Sequence, residues 1–469
     1  MTGKERGFGP GTSIALTLGS ALLWGVAHLA THRHKTGLLL MSIYVLMLGF
    51  ILTVLTAFSA RLLSLAVQPR WITVLALALA ALAVSWTTVI IWSYMLVRPA
   101  APHTVARALN AGLAIALCAL VLAPTAYAAR LAYLSRDVVH TLFAGNSSPV
   151  VAQDPWNGAQ RVNFLLIGAD SAPNRPGVRT DSMTVASVDT ATGATTLFGL
   201  PRNLQQVPMP TGPPRDLFPY GFTGAGAATP GLLNEVFQYA EDHPETVPGL
   251  PDGDRGPALL KETVSGILGI PVSYYAMIDM KGFAEIVDAM GGVRVTVDEP
   301  IVYGRHREGL LPAGTRKLSG EEALWYGRSR TDSDDYVRMG RQKCLLNAVV
   351  KQADPVTVLN SFEGLATATK RAISTDLPQD VLPALVELSQ KVKDTHIRSL
   401  SFVPPLISTG DPDWHLIRRK VSQVLSERPT VATGHTAPDG TTAQGTAPHR
   451  TTPPTPSPER PLTLDSACA

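Results

Sequence analysis

The first third of this chain carries almost no charge, and that feature limits what it can fold into more than any other. Four apolar runs follow one another there, at residues 13–31, 37–58, 71–97 and 108–134. Each holds about twenty residues or more, the length a helix needs to cross a ~30 Å hydrocarbon core. One such run also suits a buried helix of a soluble protein, but four in succession point to a membrane. Residues 1–134 are therefore expected to form a multi-span helical membrane region of about four transmembrane helices. The first run is the weakest candidate, being short and carrying Trp24 and His28. It has no small-residue cleavage site of the kind that ends a removable signal peptide. Lys and Arg are spread over both sets of loops, so the positive-inside rule does not set an orientation. With four spans, the N-terminus and the large C-terminal part lie on the same side; with a re-entrant first run, they lie on opposite sides.

The remainder reads as one α/β domain. After a linker at 135–160, VNFLLIG is a continuous apolar run closed by glycine, which suits a buried strand. SMTVASVD and TTLFGL follow, with a short Thr/Gly turn between them, as in a hairpin. Residues 257–268 have helical periodicity, SYYAMIDM is a strand candidate, and residues 281–290 form a helix ended by Gly291 and Gly292. Ser319 and Glu322 match a capping box opening the next helix, and a further helix starts at Asp335. Strands alternating with helices indicate an α/β/α domain with a central sheet over residues 161–424. Residues 425–469 are rich in Thr and Pro and poor in apolar residues, so a disordered tail is expected.

Composition excludes some functions. A net charge of +3 is too small to suggest a nucleic-acid binder. Cys118, Cys344 and Cys468 show neither metal spacing nor a disulfide framework. The domain is accordingly expected to be held by its core alone.

The chemistry concentrates at a few positions. Asp170 ends the strand VNFLLIG, where open α/β sheets place ligands. Asp181 precedes the next strand, with Arg179 two residues upstream. Two carboxylates at neighbouring strand ends suit one Mg²⁺ shared with phosphate oxygens; they also suit plain turn capping. Arg202 stands after the third strand. The segment YGRSRTDSDDYVRMGRQ then packs Arg328, Arg330, Arg338 and Arg341 among Asp332, Asp334 and Asp335. Arg328 and Arg330 point the same way if extended, while Arg338, Arg341 and Gln342 share a helix face. Planar guanidinium forks match a pyrophosphate bidentately. The same charges pairing among themselves is the alternative, and Asp335 could also cap its helix.

These segments, in this order, resemble the LytR–CpsA–Psr family: VNFLLIGADS, RTDSMTVASVD, LPRN, YYAMIDMKGFAEIVDAMGGVRVTV, LSGEEALWYGRSR and DDYVRMGRQ. The resemblance covers most of residues 161–351. It implies a membrane-anchored, extracytoplasmic enzyme that moves a glycopolymer from a polyprenyl-pyrophosphate carrier onto peptidoglycan. The implied fold is a central mixed sheet flanked by helices, with an apolar pocket for the polyprenyl chain. Asp170 and Asp181 then hold Mg²⁺ (or Mn²⁺), and Arg179, Arg202, Arg328, Arg330, Arg338, Arg341 and Gln342 surround the phosphates. Asp181 or Asp335 is the candidate base. The pocket is expected from faces such as 259–268 and 286–297. Two positions depart from the family pattern: Asn203 where Asp is usual after the arginine, and Leu232 where a lysine often precedes Asn234. The implied partners are the lipid-linked glycopolymer, peptidoglycan and membrane lipid, with no nucleic acid. A non-catalytic wall- or lipid-binding module and a membrane-bound transcription regulator are the competing readings; no basic recognition helix supports the latter.

Overall fold

The computed structural model describes residues 9–57, 69–97, 104–143, 154–170, 177–226, 229–304, 306–307, 309–331, 333–352, 362–427 and 461–468. The chain divides into two units, Met1–Pro149 with Pro378–Glu387, and Val150–Leu377 with Leu388–Ala469.

In the first unit, helices α1 (Pro10–Leu22), α2 (Val26–Ala30), α3 (His34–Ala57), α4 (Pro69–Val97) and α5 (Thr104–Phe143) follow the apolar runs. Among the described residues three stretches are long and apolar enough to cross a membrane: His34–Val54, Arg70–Val97 and Ala108–Val138. The first run forms a shorter apolar helix, Gly11–Leu22, so three stretches rather than the expected four reach that length among the described residues. Its 13-residue α1 reaches only ~20 Å at 1.5 Å per residue. The break lies at Gly25, in the left-handed region at φ 99°. A Cβ there would sit 2.3 Å from the Gly37 carbonyl oxygen, so this close crossing tolerates only glycine. Polar groups released at the break find partners: Ser20 Oγ accepts the Ala27 N–H at 2.7 Å, and Trp86 Nε1 donates to the Ala21 carbonyl at 3.0 Å.

The second unit is built on a seven-stranded mixed sheet. Its strands are β1 (Arg161–Asp170), β2 (Arg179–Asp189), β3 (Thr195–Leu200), β4 (Tyr274–Asp279), β9 (Ile373–Thr375), β10 (Arg398–Ser401) and β11 (Leu462–Thr463), in the order β11-β10-β3-β2-β1-β4-β9. β1 is antiparallel to β2 and parallel to β4, and β3 is antiparallel to β2 and parallel to β10. β1, β3, β4 and β10 therefore end at one edge, where β2 begins. β5 (Val293–Val297) pairs with β8 (Gly314–Leu318), and β6 (Ile301–Tyr303) with β7 (Gly309–Leu311), as two small ribbons.

One sheet face carries the main core. Leu165, Ile167, Met183, Val185, Phe198 and Leu200 pack there against α6 (Val236–Asp242), α7 (Arg255–Leu268) and α13 (Trp414–Ser426). Alternation does this: residues two apart on each strand share a face. The opposite face lies under α8 (Met280–Ala289), α9 (Gly320–Arg328) and α10 (Asp335–Gln352), which pack with the ribbons around Val287, Val295, Leu318 and Leu345. The Ser319–Glu322 capping box starts α9 as its sequence indicates. Helices α11 (Phe362–Ala372) and α12 (Leu382–Lys393) lie between α10 and β10 in the chain.

Two expectations change here. Cys344 on α10 is joined to Cys468 by a disulfide spanning 124 positions. Such a cross-link restricts the unfolded chain, on the order of 2–4 kcal/mol. The segment expected as a structureless tail at 425–469 is also partly ordered. α13 runs to Ser426, β11 adds to the sheet edge at β10, and Leu464 is buried. The Thr/Pro-rich stretch 428–460 lies outside the described residues.

Candidate active site

The site forms where the four same-direction strands end. On β1 and β2, Gly168 pairs with Ser182 and Ala169 with Thr180, so Asp181 has no opposite residue and is the extra member of a β-bulge. A bulge re-aims the side chain it carries. It sets Asp181 between the Gly168–Ser182 and Ala169–Thr180 rungs, with Asp170 paired to Arg179 on the rung beyond. Asp170 is buried, and Arg179 is exposed.

Arg202, in the turn after β3, joins two carboxylates. Its Nη1 lies 2.5 Å from Asp181 Oδ1 and its Nε 3.3 Å from Asp335 Oδ1. Arg338, only 3% exposed, donates from Nη2 to Asp335 Oδ2 at 3.0 Å and from Nη1 to the Asp181 carbonyl at 3.0 Å. Arg328 Nη2 donates to Asp170 Oδ2 at 3.1 Å, and its guanidinium carbon stands 5.8 Å from the Trp325 ring. Arg330 is 3.9 Å from Asp335 Oδ1. Arg341 Nη1 donates to the Ser329 carbonyl at 3.3 Å, and Gln342 Nε2 to the Gly327 carbonyl at 3.1 Å.

The charged segment thus sorts into two groups. Arg338, Arg341 and Gln342 hold backbone and carboxylates in place. Arg328 and Arg330 keep side chains 42% and 55% exposed, on either side of buried Ser329, whose hydroxyl donates to the Val302 carbonyl at 2.8 Å. Helix capping falls to Asp334, not Asp335: its Oδ1 accepts the Tyr336 and Val337 N–H groups at 2.9 and 2.7 Å. Asp335 is thereby left for Arg202 and Arg338. Asp332 lies outside the described residues.

The charged cluster is continuous with a cavity of about 430 Å³. Asp181 and Arg328 belong to both. The cavity walls are otherwise mainly apolar: Leu166, Ala276 and Ile278 on the sheet, Met280, Phe283 and Ile286 on α8, Leu324 on α9, and Leu345, Leu346 and Val349 on α10. This differs from the expected pocket. The 259–268 face is part of the solid core across the sheet, and only Ile286 of the 286–297 stretch lines the hollow. Sequence reasoning also missed Lys343, which lines the cavity, is buried and donates to the Ser401 hydroxyl. Burial pushes its ammonium down to about 8. Gly199 makes room, since a Cβ there would come 3.1 Å from Lys343 Cε. A lysine next to the arginine motif was visible in the sequence, but nothing there marked it as buried.

Among the described residues, several buried polar atoms at this end have no hydrogen-bond partner: Asn203 Oδ1, Asn234 Oδ1, Ser333 Oγ and Arg338 Nε. Buried polar groups are normally satisfied, so each such atom needs an account. Among the described residues no three His, Cys, Asp or Glu side chains gather as a complete metal site. Asp170 and Asp181 supply two carboxylates. Mg²⁺ is commonly held by one or two, with water and phosphate oxygens completing its shell. The donor set therefore fits an ion held jointly with a substrate phosphate and does not fit a protein-only cage.

A model of the LytR_cpsA_psr family matches residues 135–406. The polyisoprenyl-teichoic acid–peptidoglycan teichoic acid transferase TagU of Bacillus cereus is 26% identical over 224 residues, 47% of this chain and 62% of that protein. TagU of Halalkalibacterium halodurans is 24% identical over 233 residues, 49% of this chain and 64% of that protein. The chain thus spans a little under two thirds of the length of these relatives. Among solved structures, protein gbs0355 of Streptococcus agalactiae superimposes with a TM-score of 0.44 at 22% identity, covering 61% of this chain and 93% of that one. TagT bound to LIIa-WTA gives 0.40 at 18%, covering 57% and 90%.

Proposed function

The chain belongs to the LytR–CpsA–Psr family, and from that premise we propose that it is a membrane-anchored phosphotransferase that moves a glycopolymer from a polyprenyl-pyrophosphate carrier onto peptidoglycan. The observation that carries this reading is the joining of an arginine–carboxylate cluster to an apolar cavity, through Asp181 and Arg328. An amphiphile with a pyrophosphate head and an isoprenoid tail has these two halves in the same order. The Bacillus TagU relatives, named as teichoic acid transferases, support the same substrate class.

In this reading the tail enters the cavity and the pyrophosphate meets Arg328, Arg330 and Arg202. A sugar hydroxyl of peptidoglycan attacks the phosphorus that bears the polymer. The bond from that phosphorus to the bridging oxygen breaks, and polyprenyl phosphate leaves with the electron pair. The hydroxyl proton passes to a carboxylate beside Arg202, Asp181 or Asp335. Asp170 and Asp181 would hold Mg²⁺, which supplies charge neutralisation at the phosphates when bound. The protein's part is mostly positioning and electrostatics, as is general for phosphoryl transfer. Arg338, Arg341 and Gln342 contribute by fixing Asp335, Asp181 and the 327–330 backbone. On this reading the three candidate spans cross the membrane, the domain stands on the side opposite the residues before α3, and that side is outside the cytoplasm.

The test uses the full chain in detergent, with a polyprenyl-pyrophosphate saccharide, a peptidoglycan oligomer and Mg²⁺. Arg328→Lys and Arg330→Lys keep the charge but lose the planar fork. Losing a charge-assisted hydrogen bond costs roughly 1.5–3 kcal/mol, so transfer should fall about tenfold or more. Lys variants as active as the parent would return these arginines to plain surface pairing. Binding of the lipid carrier without any transfer would leave a non-catalytic binding module.

A further inference from the structure

The mechanism above needs Arg328 aimed at the phosphates, yet its side chain is 42% exposed, and the carboxylate it binds, Asp170, has a second duty in that reading. A ring beside the arginine meets the need. Trp325 stands three residues earlier on α9, on the same side of the helix, and the Arg328 guanidinium carbon lies over its ring at 5.8 Å. Trp325 is itself held. Tyr303 on β6 stacks against it, with ring centroids 5.5 Å apart and planes 25° from parallel. Gly309 on β7 is the cross-strand partner of Tyr303, and it lies so close that a Cβ there would come within 2.2 Å of the tyrosine ring. The adjoining residues fasten the ribbon to the helix end. The buried Ser329 hydroxyl donates to the Val302 carbonyl at 2.8 Å, and the Ser329 N–H donates to the Trp325 carbonyl at 2.8 Å. A row of side chains thus runs from the β6–β7 ribbon across α9 to the arginine at the mouth of the cavity.

Arginine carries large rotamer entropy, and ordering such a side chain at the moment of binding subtracts from affinity. An aromatic face restrains a guanidinium through the attraction of the cation for the ring quadrupole. It does so without an acceptor atom, so it spends none of the N–H donors that a phosphate needs. A further carboxylate would hold the arginine by using those donors, and would repel the phosphates as well. We propose that Trp325, backed by Tyr303, is a positioning residue that presets Arg328 for the pyrophosphate head group. The inference rests on the phosphotransferase reading and deepens it. The two open arginines of the charged segment then differ in kind. Arg328 is aimed before the ligand arrives, whereas Arg330, more exposed and 3.9 Å from Asp335, is ordered by the ligand itself.

The experiment titrates a sugar-free polyprenyl pyrophosphate into the full chain in detergent, and then measures transfer. It compares the parent with Trp325→Leu, Trp325→Phe, Arg328→Ala and the combined Trp325→Leu, Arg328→Ala variant. Trp325→Leu keeps apolar bulk but removes the ring, and should weaken binding of the carrier about three- to tenfold. Trp325→Phe restores a ring face and should stay within about twofold of the parent. The deciding readout is the coupling between the two positions. In the Arg328→Ala background, Trp325→Leu should cost nothing further, because a residue that acts through Arg328 has nothing left to act on. Tyr303→Leu, which removes the backing ring alone, runs through the same cycle and should show a smaller loss, also absent in the Arg328→Ala background. A full, additive loss in that background overturns the proposal and makes Trp325 an independent contact or a support of the helix. Unchanged binding in Trp325→Leu overturns it as well, and so does a Trp325→Phe variant as weak as Trp325→Leu. Failure of the phosphotransferase reading looks different: the parent binds the carrier and transfers nothing, and the binding cycle still decides whether Trp325 acts through Arg328. A parent that does not bind the carrier overturns both.

Discussion

The two faces of the central sheet are built from the same strands and treated in opposite ways. On one, Leu165, Val185, Phe198 and Leu400 meet α6, α7 and α13 and leave a solid core, with Phe198 stacked on Phe402 at 6.3 Å. On the other, Leu166, Ala276 and Ile278 face α8, α9 and α10 across a hollow of about 430 Å³. Protein interiors normally close-pack, and an apolar void forfeits the dispersion contacts its walls would otherwise make. The hollow face therefore holds stability back, and it is the face that meets the arginine cluster. The solid face supports the fold; the hollow face is shaped for a ligand.

Substitutions on the two faces test that contrast, and the solid face should show the largest effect. Phe198→Ala removes a fully buried ring and should cost about 3–5 kcal/mol, read by chemical denaturation of the protein in detergent. A loss below about 1 kcal/mol would mean that this core is as loosely packed as its counterpart.

Lys343 sharpens the comparison next, since it lies on the hollow face with a buried ammonium that, among the described residues, donates to the Ser401 hydroxyl and to no carboxylate. Its pKa falls from 10.5 to about 8. Between about 8 and 10.5 the unfolded chain binds the proton and the folded one releases it. Stability from this group should therefore rise with pH through that window, and below about 8 the folded state carries the full penalty. Each pKa unit is worth about 1.4 kcal/mol. Lys343→Met should raise stability at pH 7 by up to about 3 kcal/mol and remove the rise between pH 8 and 10. An unchanged pH profile in the variant would show that the ammonium is solvated.

The smallest stability effect should come from filling the void. Ala276→Leu adds methyl groups where the wall is open, so stability should shift by less than about 1 kcal/mol. Binding of a polyprenyl pyrophosphate should nevertheless weaken about tenfold or more. A large destabilisation with unchanged lipid binding would place the hollow outside the ligand path.

Much of this was legible in local sequence. The run VNFLLIG, the TTLFGL hairpin, the Ser319–Glu322 capping box and the Gly291–Gly292 helix end all took the structures their patterns indicate. What escaped was decided at a distance. The break in the first apolar run depends on Gly37 approaching Gly25. The Cys344–Cys468 bond joins an unremarkable helix position to a segment beyond a Thr/Pro-rich stretch. Capping by Asp334 rather than Asp335 turns on one residue of helix phase, below what an unaligned charge run resolves.

The sequence by itself determined the division into an apolar helical region and an α/β domain, the order of strands and helices, and the identity of the charged residues. Those follow from hydropathy, periodicity and turn chemistry, which act over a few residues. Only the tertiary structure decided how those charges are used. It set Arg328 against Asp170 across 158 positions, put Asp181 on a bulge, and buried Arg338 while leaving Arg330 open. It also chose which face of the sheet to fill. The alternation along a strand supplies two apolar faces, and which one is packed solid depends on helices that arrive from elsewhere in the chain.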